Sequence, residues 1–581
     1  MVNRAKGFLG LVLHAHIPYV LAHGRWPHGM DWLCEAVAES YLPLLACLRR
    51  LVAGGVSPRI TISFTPVLCE QLADAGFAEE LRTYLNQRIA SAREAQRHFS
   101  SSGQEEMAPL AALWERFYEE QLRFFDELEG DILAAFKQLQ DEGHIELIAS
   151  AATHAYFPLL GRDTSIQAQV LQGIRCYERF FGRKPRGFWL PECAYRPRYR
   201  WRPPQGTTDE PEPPAVLRKG VDEFLSEAGI EFFFVDAHLL RGGEAVGVYR
   251  ERFEALARLW QQFAEQYQPR ELDREKDPLR PYLVCSAGAG QAPVTVLARE
   301  HDVGMQVWSA ERGYPGDGNY LDFHKKYFPG GLRLWRVTDW KLDLGAKLPY
   351  DPDAARSRIP EHAAHFVSIS KGALLWELDK VGTPRLLCCP FDAELFGHWW
   401  FEGIQWLEQM LRRLAADEDI ASATVSYYLE HFPATTVVSL PEGSWGEGGY
   451  HYIWLNEWTT WTWRHIYACE DAFAEVLRQA PKPLPELAER ILRQAARELL
   501  LLQSSDWQFL ISTWNARDYA EMRFDGHLQA FNRLLAMGRT ALSGGSVRDA
   551  DLRFLAAAEQ RDRLFPDVQL DWFSALQYPA Q

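Results

Sequence analysis

Seven short apolar runs, most of them separated by helix-forming stretches, constrain this chain more than any other feature. They are GFLGLVLH (7–14), RITISFT (59–65), HIELIAS (144–150), RGFWLPE (186–192), IEFFFVD (230–236), VTVLARE (294–300) and RLLCCPFD (385–392). Several are almost continuously apolar rather than alternating, the pattern of strands covered on both faces. WLCEAVAESYLPLLACLRRLVA fills the first gap, LWERFYEEQLRFFDELEGDILAAFKQLQDEG precedes the third run, and IQAQVLQGIRCYERFFG precedes the fourth. This alternation predicts a parallel α/β fold. A doubly wound open sheet would alternate in the same way, but no GxGxxG follows the first run, which argues against a dinucleotide site.

Ionisable and polar residues collect just past the runs. The first delivers His14 and His16, the third Ser150 and His154, the fourth Glu192, and the fifth Asp236 and His238. The sixth delivers Arg299, Glu300 and His301, and the seventh Asp392 and Glu394. The opposite ends carry mainly Gly, Pro, Arg and Lys. Strands that merely emerge into solvent would show charges at both ends. In a barrel the C-terminal ends converge on one face, where active sites sit.

Composition narrows the function classes. A net charge of -16 with no basic run argues against nucleic acid or an anionic membrane as partner. No apolar stretch reaches the 18 residues or so needed to span a bilayer. The nine cysteines are scattered without a CxxC pair, as in a reduced, cytoplasmic protein. The start, MVNRAKGFLGLVLHAH, has the basic head of a signal peptide, but its apolar run breaks at His14 and lacks a small-residue cleavage site. Two Pro-rich stretches punctuate the chain: WRPPQGTTDEPEPP (201–214), expected to be an exposed loop, and APKPLPE (480–486). Residues 250–280 read as a small helical insertion, and after about residue 430 the pattern is amphipathic and helical.

Glu192 and Asp392 stand out, each ending an apolar run with a proline close by. Two carboxylates at facing strand ends suit glycoside hydrolysis: one attacks the sugar carbon or activates water, and the other protonates the leaving oxygen. They would equally serve as structural partners of arginine. Aromatic residues favour the first use. FGHWWFEG follows Asp392, Trp308 lies in VWSAERGYPG, and GSWGEGGYHYIWLNEWTTWTW places five tryptophans within 19 residues. This last run is rich in Gly and polar residues and reads as a loop with exposed rings, which stack on sugar faces. The histidines admit a metal site: His14 and His16 point to one side of a strand and, with His154 and Asp236, would suit zinc or a deacetylase. They would serve equally to hydrogen-bond substrate hydroxyls.

HAHIPY, ELIASAATHAYFPLL, GFWLPECAY, CCPFDAELFGHWWFEG and GSWGEGGYHYIWLNEWT resemble, in order, the five sequence regions of glycoside hydrolase family 57. SAATHAYFPLL and PFDAELFGHWWFEG are most similar to its 1,4-α-glucan branching enzymes, as is the tail LLLQSSDWQFLISTW. The resemblance implies an incomplete (β/α)7 barrel over 1–430, with an inserted loop and helical part at about 200–285, and an all-α C-terminal domain over 431–581 lining the cleft. It implies a retaining mechanism without metal or cofactor, Glu192 being the nucleophile and Asp392 the general acid/base, with the Asp392 pKa raised. His14, His16 and His154 would line the donor subsite, and Arg299, Gly316, Trp445 and Asp506 match positions associated with substrate binding. Trp308, Trp399 and Trp454 lie in motifs linked to subsite walls. The expected partner is an α-1,4-glucan, handled by a cytoplasmic monomer. The alternatives are an α-amylase or 4-α-glucanotransferase using the same pair, a metal-dependent polysaccharide deacetylase, and a non-catalytic glucan-binding protein.

Overall fold

The computed structural model describes residues 5–204, 214–245, 253–265, 267–309, 311 and 313–577. Each of the seven apolar runs is a strand: β1 Gly7–Ala15, β2 Ile60–Phe64, β3 Ile145–Ser150, β4 Gly187–Trp189, β5 Phe232–Asp236, β6 Val294–Arg299 and β7 Leu386–Asp392. All nine residues of β1 and all five of β2 and β5 are buried, because helices cover the outside while side chains from neighbouring strands fill the inside. Phe232, Phe233 and Phe234 are consecutive and all fully buried, which only a two-faced burial permits.

The seven strands run parallel in the order β7-β1-β2-β3-β4-β5-β6. The two end strands approach each other through Glu300, just past β6, whose N–H donates to the Cys388 carbonyl of β7 at 3.1 Å. Two short strands were not legible in the apolar pattern. Tyr282–Val284 adds antiparallel to β6, making the sheet mixed, and Ile420–Ser422 pairs with the start of β1. Both have three residues, too few for a periodicity to show.

The helices follow the expected pattern with local breaks. The stretch expected to be helical after β1 is Met30–Ala36 and Leu42–Ala53 joined by a π turn at Val37–Tyr41. The stretch before β3 divides into Ala108–Glu127 and Ile132–Asp141, where Glu129 and Gly130 take positive φ and Asp131 caps the second helix through Ala134 N–H. Among the described residues of the expected insertion at 250–280, the helix is Glu254–Phe263, and Arg270 instead lies extended against Gly243. Of the Pro-rich stretch expected to be an exposed loop, 205–213 lie outside the described residues; its flanks pair as a hairpin, Tyr199–Trp201 with Val216–Arg218.

After Thr460 every named element is a helix: Thr460–Gln479, Glu486–Leu502, Asp506–Thr513, Arg517–Leu542, Asp549–Arg561 and Asp571–Ser574. Glu486–Leu502 and Arg517–Leu542 approach closely at Gly538, where an added Cβ would stand 2.8 Å from Leu492. These helices are tied to the sheet at the C-terminal end of β3. Ser505 N–H donates to the His154 carbonyl at 3.1 Å, and Ala155 bridges to Ser504. That seam delivers Asp506 to the strand ends. Among the described residues no helix is long and apolar enough to cross a membrane, and all nine cysteines are free thiols, eight of them buried.

Candidate active site

Glu192 stands on a strained turn. β4 stops at Trp189, and Pro191–Cys193 form a single 3-10 turn in which Glu192 has φ 60° and Cys193 φ 47°. Non-glycine residues adopt that left-handed region at a cost that the surroundings must over-determine. Here they do: Cys193 N–H donates to Leu190 O at 2.9 Å, Ala194 N–H to Pro191 O at 3.0 Å, and Tyr195 exchanges backbone bonds with Gly443. Trp445 grips the residue twice, its backbone N–H donating to Glu192 O at 3.1 Å and its indole N–H to Oε2 at 2.7 Å. Burial pushes the Glu192 pKa up to about 7, against the opposing effect of the Trp445 bond.

Asp392 ends β7 directly opposite His14 in the parallel register and is half-buried. Glu394, two residues on, is buried and accepts the Tyr41 hydroxyl and, at 3.0 Å, the His16 N–H. Burial raises its pKa.

The three histidines form one stack. His14 lies on the Trp189 ring at 4.5 Å, and His16 on His154 at 4.0 Å between centroids. His14 Nε2 and His154 Nε2 are 3.1 Å apart and share a hydrogen bond. Burial, and then the neighbouring imidazoles, hold His14 and His154 well below the usual imidazole range. His16 differs: burial would lower its pKa, but Asp506, 3.0 Å away, outweighs this and raises it. The site therefore sets two imidazoles whose neutral form burial favours beside a third, His16, whose protonated form Asp506 favours. His154 Nδ1 is 3.9 Å from Glu192 Oε1 and 3.0 Å from Ser505 Oγ.

The metal-site expectation built on Asp236 fails. Asp236 is ion-paired to Arg299, His301 and His238, and although burial opposes it, Arg299 and His301 hold its carboxyl well below the usual carboxylate range. Asp506 takes its place beside the histidines: the ligand atoms of His16, His154 and Asp506 lie within 4.8 Å of one another, and these three could hold a cation. Their nitrogens and oxygens are already committed to one another and to Thr65, His14 and Ser505.

Rings join the two carboxylates. Trp445 meets Trp189 at 5.3 Å and Trp308 at 6.1 Å, and Trp308 meets Phe391, the neighbour of Asp392, at 5.9 Å. The Arg299 guanidinium lies 5.5 Å over Trp445. Contrary to the expectation of exposed rings, Trp445, Trp454 and Trp463 are buried. Trp454 stacks on Tyr156 at 4.4 Å, and its carbonyl accepts the Trp463 indole. The expected loop holds only as far as Thr459, since Trp461 and Trp463 lie on the helix Thr460–Gln479, and its burial was not foreseen: Gly446 lets Trp454 approach to 2.6 Å of where a Cβ would sit.

The sheet thus gathers Glu192, Asp392, His14, His16, His154, Asp506, Trp308, Trp445 and Arg299 at its C-terminal ends. Trp399 is half-buried and donates its N–H to Glu394 O at 3.1 Å. Gly316 does not join them through any described contact: it closes a turn whose Tyr314 faces His362 and His365. Glu394 was expected only as one of the ionisable residues past a strand, and Trp189 and Tyr41 were not anticipated as site residues. Trp189 ends β4, whereas Tyr41 lies in the π turn between two helices, where no feature of the sequence marked it.

Paired carboxylates among stacked rings at the C-terminal ends of parallel strands define an enzyme built to handle carbohydrate. Residues 10–441 match the model of glycosyl hydrolase family 57, and 465–573 match that of the C-terminal region of 1,4-alpha-glucan branching enzymes. The chain belongs to glycosyl hydrolase family 57. A 1,4-alpha-glucan branching enzyme of Thermococcus kodakarensis is 40% identical over 564 residues, 97% of this chain and 78% of that one. The crystal structure of a branching enzyme of this type from Pyrococcus horikoshii superposes with a TM-score of 0.86 at 39% identity, covering 99% of this chain and 98% of the other. The α-amylase AmyC of Thermotoga maritima superposes with a TM-score of 0.78 at 26% identity, covering 98% and 100%.

Proposed function

We propose that this chain is a 1,4-α-glucan branching enzyme that works by double displacement in the cytoplasm, as part of glycogen-type polymer synthesis. The observation that supports the mechanism is that Glu192, held at a strained strand end by Trp445, and Asp392, at the end of the strand beside His14, are linked by the Trp445, Trp308 and Phe391 rings. We read the seven parallel strands as an incomplete (β/α)7 barrel over 1–430, with an insertion at about 200–285, and the helices after 431 as a C-terminal domain that supplies Asp506 to the cleft.

An α-1,4-glucan lies across the strand ends. Asp392 donates its proton to the glycosidic oxygen while Glu192 attacks the anomeric carbon, breaking that bond and forming a covalent glucosyl-enzyme. The reducing-end fragment leaves. Asp392, now ionised, takes the proton of a 6-hydroxyl on an acceptor chain, whose oxygen displaces Glu192 and forms the α-1,6 branch with retention. His14 and His154 are hydrogen-bonded to each other and to Ser63 and Ser505, so their stacked rings act as a fixed wall of the donor subsite. The hydrogen-bonded His16–Asp506 pair adds a fixed dipole to that wall. Trp189 and Trp308 present buried indole N–H groups with no partner among the described residues, donors that a sugar hydroxyl would satisfy. The buried Trp-rich segment is the wall that keeps water from competing with the acceptor. Trp399 and Gly316 are assigned to outer substrate contacts, Arg299 and Trp454 to the buried support of Trp445 and Tyr156, and the enzyme is proposed to be a monomer.

The amylase alternative uses the same pair with water as acceptor, and AmyC, at 26% identity, is the relative that represents it. The deciding experiment incubates the protein with amylose, counts new reducing ends, then debranches and sizes the chains released. New α-1,6 linkages with few new reducing ends support branching. Many reducing ends without branches overturn it in favour of hydrolysis.

A further inference from the structure

The helix Asp506–Thr513 starts in the active site and ends at Trp514, a residue the mechanism does not use. Trp514 has φ 57° and ψ 15°, the left-handed helix end that normally falls to glycine or asparagine. Its ring is 45% exposed. Both features count against tryptophan as a folding element here, since a glycine would relieve the backbone and hide no ring from water. A second ring faces it: half-buried Trp458 lies 5.1 Å away between centroids, with the two planes inclined at 40°. Trp458 is firmly placed. Its N–H donates to Asn456 Oδ1 at 2.9 Å, and Asn456 Nδ2 donates to Ser512 Oγ at 2.8 Å, tying the Trp-rich segment to the same helix. The Arg258 guanidinium lies 5.8 Å over the Trp514 ring and is itself paired with Glu254.

We propose that Trp514 and Trp458 form a second α-glucan-binding platform, outside the catalytic cleft, that holds a distant part of the polymer on which the strand-end site acts. Strain and exposure that persist together mark a functional contact rather than a packing one. Two inclined rings make a shallow concave clamp that suits the curved apolar face of an α-1,4-linked chain. The polar groups around it are already paired, Arg258 with Glu254 and Gln262 with Glu457, so they suit hydroxyls rather than a charged ligand. The helix from Asp506 to Trp514 is about 12 Å long, so the platform is set off from the cleft by at least that length of the protein. The identity of the polymer rests on the activity proposed above.

The test uses the full chain, as wild type and as Trp514→Ala, Trp458→Ala, Trp514→Phe and Glu192→Gln. Mobility is measured in native gels containing amylose, and KM is measured for long amylose and for short maltooligosaccharides, with thermal melts to confirm folding. The expected result is a loss of retardation and a rise in KM of about tenfold for long amylose in the two alanine variants. KM for short chains stays unchanged, Trp514→Phe recovers most of the binding, and Glu192→Gln is retarded like wild type. Retardation equal to wild type in both alanine variants overturns the proposal. So does an equal rise in KM for short and long chains, which marks a structural residue, or a change in sedimenting mass without a change in retardation, which marks a self-association surface. Wild type that is retarded through Trp514 yet forms no branches would sink the activity and leave the platform standing. Branching with no Trp514-dependent retardation would do the reverse.

Discussion

The indole N–H of Trp445 donates to Glu192 Oε2 at 2.7 Å across 253 residues of sequence. The same tryptophan is backed on its other side by Arg299, which is in turn paired to Asp236. The nucleophile proposed here is therefore held by a chain of contacts from four separate strand ends or loops, and each link can be cut.

Glu192→Gln keeps the side-chain shape and an acceptor for Trp445. It should lower turnover by about 10³-fold or more, as expected for removing a nucleophile. It should also stabilise the fold. With a pKa of about 7 in the folded state and an ordinary value of 4.5 unfolded, the carboxyl binds its proton more tightly when folded. Stability is therefore lost as pH rises from 4.5 through 7, by roughly 3 kcal/mol in total. The glutamine escapes that loss, so its advantage in denaturant unfolding should be absent at pH 4 and complete above pH 7. A variant that is less stable at pH 8 would contradict the burial argument.

The pH profile of kcat/KM should show an acid limb near pH 7, because Glu192 attacks only when ionised. Trp445→Phe removes the hydrogen bond that lowers this pKa. The limb should move upward by about one unit. A limb that stays in place in Trp445→Phe would assign it to another group.

Asp236→Asn should destabilise the protein by about 3–5 kcal/mol, since it leaves the buried Arg299 guanidinium without its counter-charge. Turnover should fall with it, because Arg299 lies against the ring that holds Glu192. Denaturant midpoints and initial rates on amylose, taken together, check both. Loss of stability with turnover intact would show that Trp445 does not depend on Arg299.

Chelation should leave the rate on amylose unchanged, and metal analysis of the purified protein should find no stoichiometric zinc. Both ring nitrogens of His16 are hydrogen-bonded, to Thr65 and Asp506, and Asp506 favours the protonated ring, which competes with metal coordination. Activity lost on chelation and restored by zinc would turn His16, His154 and Asp506 into ligands and revive the metal-dependent class.

Much of the sheet was legible in local sequence. Continuous apolar runs such as IEFFFVD announce strands buried on both faces, and all seven appear where the runs lie. The strands Tyr282–Val284 and Ile420–Ser422 were not legible, being too short to carry a period. Glu192 and Asp392 were visible as charges at the ends of apolar runs. The Trp-rich segment was legible as a loop only up to Thr459, where a helix takes over, and was misread as exposed, because glycine content reports backbone freedom and not what the backbone packs against.

By itself the sequence determined the strands, the polar residues at their C-terminal ends and, through ordered motifs, the family, because apolar periodicity and local turn chemistry act over a few residues. Only the tertiary structure decided that Asp506, and not Asp236, stands beside His16, 490 residues away. It alone closed Trp445 onto Glu192 and left Trp514 strained and exposed at the far end of the helix that carries Asp506. Those pairings depend on which elements the buried sheet forces together, and sequence spacing holds no record of that.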